Sequence, residues 1–365
     1  MDTIQKKNIH KGLKKMKKNI IFVFLLFVLT AGISFSEKSV FNGCNYPYKS
    51  AKMDKFIIDS YNNTNSMDYK QFYKWMDDKF TQWLKENKKK LPVNLMDKSN
   101  FTEFCSASKR ELQAVKDNKK KEKAIINLCQ WLHKYIKKII PVFSLQRGYE
   151  FSNVVLFGER QCYLQSVLIA SILQYMGIDA GVVMVNKNEK GVESNNGHAV
   201  TLVKISKDKL IVVDASEPYP FAIHQGLFLK RDGNYIYLVP NYNTDKIIKD
   251  FNTYNNKKVS NREVSCLNED FLNSQFYVYR GEWVDGALHD NKKSAVGIKK
   301  ANNYFKKAVE ICSENTLALY FYARSFEEMG EKENAVKYFD KAYKCCVKYG
   351  FVPPNLKTKI KLIGE

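Results

Sequence analysis

Between Cys162 and Ser216 the chain changes its hydrophobic period once, and few folds accommodate that change. Leu164, Val167, Leu168, Ser171, Ile172 and Tyr175 recur at intervals of three and four, the pattern of an amphipathic helix, and Gly177 closes it after Met176. AGVVMV, HAVTLVKI and KLIVVDAS come next as short β-branched runs separated by polar turns. NYIYLVP and QFYVYRG extend the series as further strands. One buried helix feeding a mostly antiparallel sheet is an α+β pattern.

The flanking segments are helical by the same criterion. Residues 37–121 are polar and rich in lysine, asparagine and aromatics; within MDYKQFYKWMDDKFTQWLKEN, Phe72, Trp75, Phe80 and Trp83 share a helix face, and Pro92 closes the stretch. This N-terminal region is expected to pack on the core that succeeds it in the chain. The charged run KDNKKKEK marks the boundary of that core, over residues 122–225. The core opens with AIINLCQWLHKYIKK, whose apolar face is Ile125, Leu128, Cys129, Leu132, Tyr135 and Ile136. Residues 226–290 carry additional strands and a connection. In residues 291–350 an internal repeat superimposes Ala301 on Ala335, Phe305 on Phe339 and Ala308 on Ala342, each offset by 34 residues. That period and small-aromatic-small spacing resemble the second helix of a tetratricopeptide repeat, with ALYFYARSFEEMG as the first helix of the later unit. Residues 351–365 form a tail.

The formal charge is +21, but seven lysines against one aspartate between Met1 and Ser36 account for six of those charges. This basic segment precedes IIFVFLLFVL and the small residues of TAGISFS, the layout of an export signal over residues 1–36 with cleavage after Ser36. Run on to Phe35, the apolar stretch has 16 residues, short of the ~20 of a spanning helix. The expected destination is periplasmic or extracellular, the alternative being an uncleaved membrane anchor. No later segment is apolar enough to span a membrane. The remaining lysines are dispersed rather than interleaved with aromatics, so a solvated surface is expected and no nucleic-acid partner. The eight cysteines match neither a compact disulfide framework nor paired zinc knuckles; no metal and no cofactor are expected.

The order of GERQCYLQSV, a helix ending in GI, a VVMV strand, GHAV on the next strand and VVDAS on the one after resembles the transglutaminase-like superfamily of papain-related fold. The resemblance covers about residues 122–220. It implies a Cys-His-Asp triad, carried here onto Cys162, His198 and Asp214. The chemistry of the residues agrees with it. A thiol at a helix N-terminus is drawn toward thiolate by the helix field, a histidine takes its proton, and a carboxylate on the far ring nitrogen fixes tautomer and orientation. His133 lies in the preceding helix, His224 follows the Asp segment and His289 lies in a polar connection, so they are weaker candidates. Register decides the outcome: a turn centred on Lys207 pairs Asp214 with Val200, on the His198 face. A turn centred between Lys207 and Asp208 pairs it with Thr201, facing away unless a bulge intervenes.

The expected reaction is acyl transfer on protein or peptide amides through a Cys162 thioester, by hydrolysis more than by crosslinking. The Cys162 N–H and a donor from Tyr149, Gln146 or Asn153 would form the oxyanion hole. The alternative is an inactive binding module, with the C-terminal repeats taking a protein partner. Three positions depart from the family pattern. Gly158 stands four residues before the cysteine, with Arg160 and Gln161 intervening; Val200 replaces an aromatic after HA; and Gly181 stands where an arginine often follows GI.

Overall fold

A computed structural model describes residues 41, 44–66, 68–87, 91–92 and 100–364. The chain divides into two units, Met1–Ser39 and Val40–Glu365; the first, with the expected export segment, lies outside the described residues.

Four helices lead in: α1 Ala51–Asn63, α2 Lys70–Asn87, α3 Phe101–Ala114 and α4 Asn118–Ile139. Each of three has a side-chain cap at its start, from Ser50, from Asn100 in a reciprocal box with Glu103, and from Asp117. Aromatic side chains join α2, α3 and α4: Phe104 lies 4.4 Å from Trp131, and Trp131 stacks on Tyr135 at 4.8 Å. Phe72, Phe80 and Trp83 are buried as the pattern predicts, while Trp75 is half-buried. The run KDNKKKEK begins in the short connection between α3 and α4, at Lys116 and Asp117. Capped by Asp117, it forms the first turns of α4, whose lysines remain in water.

Two short strands, β1 Val142–Phe143 and β2 Glu159–Arg160, pair in parallel around α5 Phe151–Phe157. The central helix, α6 Cys162–Tyr175, comes next. It is buried on every side from Cys162 to Leu173, not amphipathic, because β3 Ala180–Lys187 and β4 Glu193–Ser206 lie on one side and α3 and α4 on another. Its polar side chains are met internally: Ser166 Oγ donates to the Cys162 and Ala199 carbonyls at 2.8 and 3.0 Å.

The sheet is antiparallel throughout and closes on itself. β5 is Lys209–Val213, β6 Gly226–Arg231, β7 Asn234–Tyr242 and β8 Ile248–Thr253; the order β6-β3-β4-β5-β8-β7 returns to β6 through Leu227↔Leu238 and its neighbours, giving a barrel. The seam between β5 and β8 is a single pair, Leu210↔Ile248. β9 Lys258–Val259 adds to β8 and β10 Val264–Ser265 to β6.

QFYVYRG is not a strand. It lies in α7 Glu269–Glu282, capped by Asn268 with Glu269 and Asp270 in the first turn. Its aromatic alternation reflects burial on two sides, Phe276 and Tyr279 in the main core and Tyr277 and Val278 against the C-terminal helices, and this packing overrides strand propensity. α8 Ala295–Ile311, α9 Thr316–Glu328, α10 Lys332–Tyr349 and α11 Pro354–Gly364 complete a helical region in which each helix packs on the next, starting from α7. The repeated positions Ala301, Phe305, Ala308, Ala335, Phe339 and Ala342 are all buried there. The expected tail is thus largely helix α11.

Candidate functional site

The chain approaches Cys162 through a sharp change of direction. Gly158, at φ +64°, caps the end of α5 in the left-handed region, which accounts for a glycine four residues before the cysteine. Glu159 and Arg160 are held extended by β1, with Phe143 paired to Arg160, and Gln161 stays extended before α6 begins. No side chain caps α6, so the N–H groups of its first turn face the Cys162 side without an internal partner.

His198 enters from β4 and Asp214 from the end of β5, and the hairpin between them combines both registers. Ser206 pairs with Lys209, so the turn centres between Lys207 and Asp208; the register then shifts past Ile205, and Lys204↔Leu210 through Thr201↔Val213 take the other frame. The irregularity at Ile205 turns Asp214 to the His198 face. His198 Nε2 donates to Asp214 Oδ2 at 2.7 Å. With Nε2 on Asp214, Nδ1 is the ring nitrogen left to face Cys162, whose thiol is near enough to raise the imidazole pKa. The Cys162 thiol also lies 4.0 Å from the Gly197 carbonyl.

A second histidine completes the group. His224 Nε2 reaches the same Asp214 oxygen at 2.9 Å, and the Ser216 N–H donates to Oδ1 at 2.8 Å. His224 Nδ1 is buried without a partner among the described residues, so the ring carries its proton on Nε2. Asp214 is fully buried; burial alone would raise its pKa, but the hydrogen bonds from His198 and His224 outweigh it and hold the carboxyl well below the usual range. Burial alone would likewise lower His198, yet its bonds to Asp214 and Cys162 push it up to about 10.

Three further residues shape the surroundings. Arg160 donates to Gln165 Oε1 at 3.0 Å; burial pushes its guanidinium below the usual range, a shift that the nearby Cys162 opposes only in part. Tyr279, from α7, is buried within electrostatic reach of Cys162, and its Oη has no hydrogen-bond partner among the described residues. Burial first, and then the Cys162 charge, push its phenol up, so it keeps its proton. Lys137 lies within electrostatic reach of Arg160 and Asp214.

The expected oxyanion donors have surroundings of their own. Gln146 is exposed, Asn153 commits its amide to the Arg147 carbonyl at 2.9 Å, and Tyr149 stacks on Tyr279 at 5.8 Å. His133 contacts the Glu217 carbonyl at 3.1 Å and His289 contacts Glu282 at 2.9 Å. Sequence reasoning weighs His224 and sets it aside as a weaker candidate, and it does not single out Tyr279. Neither carries a local pattern, although His224 lies only ten residues beyond Asp214.

His198, Asp214 and His224 each offer one ligand atom within 4.8 Å of the others and could hold a metal ion. The 2.7 and 2.9 Å contacts are hydrogen-bond lengths, and an ion would have to displace both protons.

The charges have a definite pH window. The His198 proton contributes stability that is complete below 6.5 and is lost as pH rises through about 10; the Asp214 charge contributes above the ordinary 3.8 and loses its contribution as pH falls through its depressed value. Thiol reactivity at Cys162 should therefore keep its His198 dependence up to about pH 10. In Asp214→Asn the alkaline limb should move down toward 6.5, measured as alkylation rate against pH. An unmoved limb would contradict the role given to Asp214. No family model matches this chain, and no curated protein or solved structure matches it either.

Proposed function

We propose that this chain is a cysteine acyl-transfer enzyme of the transglutaminase-like kind, acting on protein or peptide amides and releasing the acyl group to water. The observation that carries the reading is the His198–Asp214 hydrogen bond at 2.7 Å, on a histidine whose other side meets Cys162 at the uncapped start of a buried helix. The order of helix, strands and side chains supports the family resemblance.

Cys162 attacks the carbonyl as thiolate, forming a C–S bond, and the proton on His198 passes to the departing nitrogen as the C–N bond breaks. The Cys162 N–H and Tyr279 Oη, which lies beside Gln275, are the donors for the oxyanion, with Arg160 adding positive charge nearby. Water, deprotonated by His198, then cleaves the thioester to a carboxylic acid and restores the thiol. Asp214 holds the imidazole in the tautomer that presents Nδ1.

A polypeptide substrate is supported by an apolar strip beside the site. Val142, Phe143, Leu145, Leu156 and Phe157 are all between 45% and 59% exposed, and Phe143 is paired to Arg160. The Val142 and Ser144 N–H groups are taken by β2, which leaves the Phe143 edge open for an extended chain. In the double variant Phe143→Ser, Leu156→Ser, KM should rise roughly tenfold with kcat little changed. An equal fall in kcat with KM constant would remove these residues from substrate binding. Export and a partner-binding role for the tetratricopeptide-like C-terminal helices belong to the same proposal.

The test is incubation of the chain beginning at Glu37 with an unfolded protein and excess primary amine, with Cys162→Ala as control. New amino termini, or side-chain amides converted to carboxylic acids, indicate hydrolysis; amine incorporation indicates transfer, and ammonia is released from side-chain amides on either route. Neither product above the control would overturn the proposal.

A further inference from the structure

Cys44 and Cys266 stand 222 residues apart in sequence and meet beside β3. The Cys44 thiol donates to the Cys266 carbonyl at 3.0 Å and to the Leu267 carbonyl at 3.1 Å, which sets its sulfur against the Cys266 backbone. Both residues are buried. The space they occupy exists because residue 181 has no side chain. A Cβ on Gly181 would lie 2.5 Å from Cys266 Cβ, 2.7 Å from its Sγ and 3.5 Å from Cys44 Cβ. The two β-carbons therefore flank one point and are at most about 6 Å apart, against the 3.5–4.5 Å of a closed disulfide. This occupancy also gives a physical reason for glycine where the family resemblance leads one to expect arginine.

The pair sits where a bond would matter to the site. The segment holding Cys44 lies along the second half of α6: Gln174 Nε2 donates to the Cys44 carbonyl at 2.6 Å, the Tyr46 N–H to Gln174 Oε1 at 2.8 Å and the Tyr48 N–H to the Ser171 carbonyl at 2.8 Å. Cys266 lies between β10 and α7, the helix that carries Tyr279. A link between them would fasten the first described segment of the chain both to the helix headed by Cys162 and to the element that brings Tyr279 to it.

We propose that Cys44 and Cys266 form a disulfide in the exported protein. The oxidant is a disulfide of the export compartment, a protein oxidoreductase or a small-molecule disulfide. One cysteine thiolate attacks it and expels the first thiol; the second cysteine then attacks the mixed disulfide and expels the other. Two thiols on this chain lose two protons and two electrons, and the donor disulfide is reduced to two thiols. Six cysteines remain reduced, Cys162 among them. The proposal draws its oxidising setting from export, while the geometry of the pair does not depend on the Cys162 reaction.

The test uses the chain from Glu37 onward, equilibrated with a mixture of oxidised and reduced glutathione, then denatured and alkylated without reduction. Thiol titration should fall from eight to six. Peptide mass spectrometry should find the Cys44 peptide joined to the Cys266 peptide, with Cys162 alkylated. Cys44→Ala and Cys266→Ala should each prevent that fall by two and lower the melting midpoint by about 5–10 °C more under oxidising than under reducing conditions. Eight free thiols after equilibration, or a link between any other two cysteines, would overturn the proposal; because the map is read on the unsubstituted chain, a variant that fails to fold leaves the test intact. The proposed acyl transfer is judged separately, because an unreactive Cys162 beside a formed Cys44–Cys266 link would overturn that reading alone.

Discussion

Cys162→Ala is expected to lower amide turnover by at least about 10,000-fold while leaving the unfolding midpoint close to that of the parent chain. The thiol is the group that forms the thioester, and no second nucleophile stands at the start of α6; Ser166, one turn on, spends its hydroxyl on the Cys162 and Ala199 carbonyls. Alanine keeps the helix, whose own packing on β3 and β4 does not depend on sulfur. His198→Ala should fall about as far, and the double variant little further, because the two residues act as one unit. Turnover should be measured under saturating substrate and set beside a urea titration. Residual activity within tenfold of the parent would place the chemistry elsewhere.

Arg280→Met is expected to cost about 3–5 kcal/mol of stability, the second large effect. Arg280 is buried on α7; its Nε and Nη2 bind the two oxygens of Glu150 at 2.7 and 3.0 Å, and its Nη1 binds Asp59. Glu150 is equally buried, immediately before α5, and its remaining partner is Asn63 at 2.8 Å. Without the guanidinium a carboxylate is left inside the protein with one amide for company, which is far more costly than removing the pair together. Arg280→Met combined with Glu150→Gln should recover part of the loss. Urea denaturation gives both values from the shift in midpoint at constant slope. A loss below about 1 kcal/mol for the single variant would show that water reaches Glu150.

Much of the candidate site is legible because its signals are local. A long apolar run closed by Gly177, then β-branched runs at hairpin spacing, specifies α6, β3, β4 and β5, and with them the neighbourhoods of Cys162, His198 and Asp214. The 3.6 period read on α6 is not a one-faced pattern, since the helix is buried all round. The part that is not legible depends on contacts distant in sequence. Barrel closure rests on β7 returning to β6, and a strand's alternation does not say which edge it will meet. The shift at Ile205 has no glycine or proline to announce it, yet it decides which way Asp214 faces. QFYVYRG reads as a strand because a helix buried on two sides loses its polar face, and that reading hides Tyr279. The lysines of Lys116–Lys123 straddle a short break and the first turns of α4, and the Asp117 cap, not the charge, sets where the helix starts.

The central claim is that Cys162 is activated by its place rather than merely accessible, and Cys345 supplies the control. Cys345 is half-buried and more open than Cys162, and burial pushes its thiol up. The decisive measurement is the order of alkylation by sub-stoichiometric iodoacetamide at about pH 6, where an ordinary thiol is well under about 1% ionised, read peptide by peptide by mass spectrometry. Cys162 should react first, at least about 100-fold faster than Cys345, and should lose that advantage in His198→Ala. Cys345 reacting first, or Cys162 reacting equally fast without His198, would contradict it.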